Sequence, residues 1–68
     1  MTGIQVANNI KAERIRAGII IDQLCLDLDI SKPTYIAYEK DASKIQTLIL
    51  LKLADYFKCD INMFFYKK

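Results

Sequence analysis

The sequence contains no histidine and no tryptophan, and only one proline, two glycines and two cysteines. Each scarcity removes something. Without histidine, the commonest general base and the commonest zinc ligand are missing. Cys25 and Cys59 form no CxxC pair and have no histidine with which to share a metal, so they read as inert thiols within a core. No glycine-rich loop can cradle a phosphate, and no carboxylate pair marks an obvious cleft. The chain therefore reads as a non-enzyme with no cofactor, no metal and no small-molecule substrate. No segment approaches the roughly 20 apolar residues that span a bilayer. The first residues also lack the charged-then-apolar order of a secretory leader. A cytoplasmic protein with no membrane partner is expected.

What is present is mostly apolar. Hydrophobic residues make up 53% of 68 positions, while the net charge is only +2. A chain this short folds as a single domain, residues 1–68, around a limited core. The apolar surplus then has to cover a partner or a second copy. The weak basic bias permits nucleic-acid binding without requiring it.

The periodicity is helical nearly throughout, and it predicts an all-α bundle of about five short helices without a sheet. A first helix is expected over about residues 5–17, with Val6, Ile10 and Ala17 on one face and Ile15 beside them. Lys11, Glu13 and Arg16 would point elsewhere. Gly18 suits the left-handed position just past that helix. A second helix, about 21–28, buries Leu24, Cys25 and Leu28. A turn follows in which Asp29 tolerates left-handed geometry and Ser31, or else Lys32, caps a third helix with Pro33 in its first turn. That helix runs to about Lys40. A polar link, "KDASK", leads to a fourth helix at about 46–57, with Leu50, Leu53, Ala54 and Phe57 inward. A last helix restarts after an Asp60 cap and turns Ile61, Phe64 and Phe65 toward the core.

Helix, turn, short helix is the helix-turn-helix order, and the residues around it resemble the phage-repressor and Cro-like helix-turn-helix family over about residues 9–65. Arg14 and Gly18 match in and after the first helix. In "LCLDLDISKPT", Leu24, Cys25, Leu28, Ile30 and Ser31 are in register. Glu39 of "YEKD" matches the end of the family's third helix. Leu50, Leu51, Leu53, Ala54, Phe57, Asp60, Ile61 and Phe64 match its closing run. The resemblance implies a lambda-repressor-like fold and double-stranded DNA as partner. It also implies a structural ion pair, Arg14 with Glu39, which sets the angle of the third helix without touching DNA. The chain departs from the family where glycines become Asp29, Asp41 and Lys58. It also departs where a polar cap and a phosphate-binding glutamine become Ile20 and Ile21. Asp22 beside them repels phosphate unless it caps the helix.

Spacing sorts the third helix into two faces. Tyr35, Tyr38 and Glu39 share the inner side, which makes the tyrosines core residues rather than base-stacking ones. Pro33, Ile36, Ala37 and Lys40 share the outer side. The resemblance places Lys32, Pro33 and Ala37 at base-reading positions, with Ile36 beside them. Only Lys32 can donate to a guanine edge; the apolar three can only press on thymine methyls. Ser31, Thr34, Lys40 and Lys44 suit phosphates, against the blander reading of the lysines as solvated charge.

Two functions compete. One is a sequence-specific DNA-binding transcriptional regulator, a small dimeric repressor of a phage or mobile element that acts by steric exclusion at an operator. Ile20, Leu48, Ile49 or part of the Phe57–Phe64–Phe65–Tyr66 cluster would supply its homodimer seam. The other is a protein-interaction module, an antitoxin, antirepressor or assembly factor. It would turn the apolar outer face of the third helix, with Ile20 and Ile21, toward a protein partner.

Overall fold

Helix α1, Gly3–Arg16, begins earlier than hydrophobic spacing alone suggests. The reason is a reciprocal cap. Gln5 N–H donates to Thr2 Oγ1 at 3.1 Å, and Thr2 N–H donates to Gln5 Oε1 at 3.0 Å. A computed structural model describes residues 2–66; α1 packs against the third and fourth helices and the closing turn, and the second helix packs on the third. Helix α2 spans Ile21–Leu28, α3 Lys32–Lys40 and α4 Thr47–Phe57; a short 3-10 helix, Ile61–Phe65, closes the described chain. No strand occurs among the described residues.

The buried face of α1 carries Val6, Ala7 and Ile10, together with Asn9 and Glu13. Glu13 was expected to point outward and Ile15 to lie beside the core; both are reversed. At 3.6 residues per turn Glu13 falls about 20° from Val6, whereas Ile15 falls about 140° from Ile10. Phase decides the matter and polarity is accommodated, since Arg16 Nε meets Glu13 Oε1 at 2.7 Å. Ala17 is exposed because it lies beyond the last turn. Asn9 is also satisfied: its Nδ2 donates to the carbonyls of Phe64 at 2.9 Å and Tyr66 at 2.8 Å.

Three helices end by the same device. Gly18, Asp29 and Lys58 all adopt positive φ, at 70°, 55° and 56°. The next amide in each case reaches back along the helix: Ile19 to the Arg14 carbonyl, Ile30 to Cys25 and Cys59 to Ala54. Ile19, Ile30 and Cys59 then pack against the core. Helix α3 ends differently. Asp41 is extended, with φ −156°, so the missing glycine there needs no left-handed residue.

The core centres on fully buried Ile10, Leu24, Tyr35, Leu53, Phe57 and Phe64. The rings of Phe57 and Phe64 meet edge to face, with centroids 6.2 Å apart. The closing segment is a 3-10 turn rather than an α-helix, entered through Asp60 Oδ1, which accepts from Asn62 N–H at 2.9 Å. Three residues per turn bring only every third side chain inward. Phe64 is therefore buried, while Phe65, expected inward, is 48% exposed.

Candidate nucleic-acid interface

The site is built from α2, its turn and α3. Leu24 and Cys25 of α2 and Tyr35 of α3 are buried together in the core. Asp29 supplies the left-handed turn between the helices, and Ile30 packs inward behind it. This fixes α3 against both α1 and α2.

Arg14 braces the unit. Its Nε donates to Glu39 Oε2 at 2.6 Å and its Nη2 to Oε1 at 3.4 Å, while Nη1 donates to the Ile19 carbonyl at 3.0 Å. One guanidinium thus grips the end of α3 and the segment entering α2. The two side chains are only 14% and 8% exposed. The hydrogen bond with Glu39 raises the Arg14 pKa, so the cation is never lost. Beside them the Tyr35 hydroxyl is buried with no hydrogen-bond partner. Burial first, then the Glu39 carboxylate, pushes its ionisation far upward. Burial, aided by the Asp22 charge, also pushes the Cys25 thiol up, which keeps it protonated and unreactive at neutral pH.

The opposite face of α3 is open. Ser31, Lys32, Pro33, Thr34, Ala37 and Lys40 are exposed, and Ile36 is half-buried. Ser31 occupies the cap position, yet its side chain does not cap the backbone as expected. Its hydroxyl donates to Thr34 Oγ1 at 2.6 Å. Neither α2, with Ile20 at its cap position, nor α3 has a side chain on its first amides. Both helix starts keep unsatisfied donors of the kind that attract anions.

The cations divide into two sets. Lys32 Nζ is paired with Asp22 Oδ1 at 2.7 Å, across from α3 to the first turn of α2. That hydrogen bond raises the Lys32 pKa. Asp22 thus serves as a partner for lysine rather than as a helix cap. Lys40 and Lys44 instead flank an open groove of about 380 Å³, lined also by Ala37, Tyr38, Asp41 and Ser43. Asp41 Oδ1 accepts from Ser43 N–H at 2.9 Å, and bonding by Ser43 lowers the Asp41 pKa. The groove wall is held from beneath by Gly3. Its carbonyl accepts from Ala42 N–H at 3.0 Å. A Cβ on Gly3 would meet Asp41 and lie 2.5 Å from Ser43 N and 2.7 Å from Ser43 Cβ, so only glycine allows this approach.

Sequence reasoning missed the Asp22–Lys32 pair, the Asn9 clamp and the role of Gly3. It also missed a tie from α4 to α2, where the Tyr56 hydroxyl donates to Asp27 Oδ2. These contacts join residues with no periodic relation, so no spacing rule points to them. The Thr2–Gln5 cap is the exception, because its spacing is visible in the sequence.

Among the described residues, no helix is long and apolar enough to cross a membrane, and no group of three or more His, Cys, Asp or Glu residues is arranged to hold a metal. No curated protein and no solved structure matches the chain. A family model described as helix-turn-helix matches residues 10–64. That span runs from buried Ile10 to buried Phe64 and contains α2, the turn and α3 entire. The chain belongs to the phage-repressor and Cro-like helix-turn-helix family of DNA-binding regulators.

Proposed function

We propose that this chain, acting as a single domain over residues 1–68, is a sequence-specific repressor from a phage or mobile element. It blocks transcription by occupying an operator as a dimer. The observation that carries the reading is the division of α3 into a fixed face and a free one. Tyr35 is buried and Glu39 is gripped by Arg14, while Lys32, Pro33, Thr34, Ala37 and Lys40 face solvent. A helix held in this way offers its outer edge to a major groove about 12 Å wide.

In that pose Lys32 donates to a guanine edge, and Pro33, Ile36 and Ala37 press on thymine methyls. Ser31, Thr34, Lys40 and Lys44 meet phosphates, assisted by the open amides at the start of α3. A dimer sets two such helices about 34–36 Å apart, in successive grooves. Exposed Leu48, Leu51 and Phe65 supply apolar surface for the second copy.

Selection of bound duplexes from a random pool tests this reading. A T-containing motif with a guanine is the expected product, and Lys32→Ala should weaken binding to it more than to random duplex. Equal losses on both duplexes would reduce Lys32 to a phosphate contact. One observation favours a second reading, as an antitoxin, antirepressor or assembly factor: Ile20 at the cap of α2 and Leu26 within it are exposed large apolar side chains. Absence of salt-sensitive DNA binding at micromolar protein would select that protein-binding module instead.

A further inference from the structure

Asp22 and Lys32 stand on neighbouring helices of the reading unit, with Nζ 2.7 Å from Oδ1. Both are largely open to solvent, 70% and 56% exposed, so the pair contributes little to holding the fold. Its value lies in what it does to the lysine. An ammonium has three N–H donors. Asp22 takes one and leaves two for other acceptors. A guanine edge offers the neutral acceptors O6 and N7. A backbone phosphate offers a full negative charge. The Asp22 carboxylate tolerates the first acceptor beside Lys32 and repels the second. The first turn of α2, where the helix dipole favours an anion, further stabilises the carboxylate in that place.

We propose that Asp22 is a specificity-determining residue. It holds Lys32 at the junction of α2 and α3 and screens it from backbone phosphates, so that the remaining donors go to neutral base edges. This rests on the reading of Lys32 as a residue that enters the groove. Without Asp22 the long, flexible lysine stem would carry its charge to whichever phosphate is nearest. Asp22 thus weakens random binding in order to sharpen selective binding.

The test uses the full chain with two duplexes, one of random sequence and one enriched by selection, with affinity measured across a salt series. Asp22→Asn keeps the shape and removes the charge. The variant should bind random duplex more tightly, with a log–log salt slope steeper by about 0.9, the signature of one added phosphate contact. The enriched duplex should gain less, so the selectivity ratio falls. Asp22→Glu should restore the ratio. In a Lys32→Ala background, Asp22→Asn should leave the slope unchanged. The Lys32 amine, followed by NMR titration, should fall toward its ordinary value in Asp22→Asn. Equal tightening on both duplexes, or a slope change that survives Lys32→Ala, overturns the proposal, because Asp22 would then act through overall charge alone. If the unaltered chain binds neither duplex, the DNA reading itself fails, and the Asp22 proposal falls with it.

Discussion

At the scale of single residues, the interior of the helix-turn-helix unit holds one interaction that braces it and one group that is spare. Arg14 satisfies Glu39 and the Ile19 carbonyl together. Arg14→Ala strands a shielded carboxylate, which costs about 3 kcal/mol and should lower the melting temperature by more than about 10 °C. Replacing both partners, Arg14→Met with Glu39→Leu, should recover much of that loss. An unchanged melting curve for Arg14→Ala would remove the bracing role. The Tyr35 hydroxyl is the spare group, buried without a partner. Tyr35→Phe should leave stability at neutral pH unchanged or raise it by about 1 kcal/mol. The folded state also resists ionising Tyr35, whose ordinary value is 10.0. Stability tied to this phenol is therefore complete below pH 10.0 and declines as pH rises toward the higher folded value, because the unfolded chain ionises first. Alkaline denaturation followed by circular dichroism should begin later in Tyr35→Phe. The pairing of Arg14 with Glu39 was anticipated through family resemblance. The orphaned hydroxyl was not, because side-chain geometry leaves no trace in spacing.

At the scale of elements, the helix ends carry the remaining strain. Positive φ is free for Gly18, tolerable for Asp29 and unfavourable for Lys58. Lys58→Gly should therefore stabilise the protein by about 1 kcal/mol, and Asp29→Gly by less; urea denaturation midpoints measure both. A fall in the Lys58→Gly midpoint would mean that the lysine side chain makes a compensating contact. The helices themselves were legible because inward side chains recur at helical intervals: Leu24 and Cys25 with half-buried Leu28 in α2, and Leu50, Leu53, Ala54 and Phe57 in α4. The end of α3 was less so, since Asp41 is extended and no left-handed residue marks the stop. The closing segment was least so. Five residues do not distinguish a 3-10 period from an α period, and Phe65 was misassigned for that reason.

At the scale of the whole molecule, a small core leaves much apolar surface outside. Ile4, Ile15, Ile20, Leu26, Leu48 and Leu51 are all exposed. Sedimentation should show self-association at high micromolar concentration, strengthened by operator DNA. A strict monomer, free and bound, would count against action in paired grooves. The fold class was legible because family resemblance and helical periodicity agreed over nearly the same span that the family model matches. The candidate site was legible only as a set of faces. Which outward cation stands free and which is already paired depends on how α2 crosses α3, and that follows from the packing of Leu24, Cys25 and Tyr35.

The clamp between Asn9 and the carbonyls of Phe64 and Tyr66 joins the opening helix to the final turn. A ribosome must therefore release the chain through Phe64 and Tyr66 before α1 finds these neighbours. Nascent chains arrested ahead of Phe64 lack a central core ring, and protease resistance should arrive abruptly once Phe64 and Tyr66 have emerged, rather than build helix by helix.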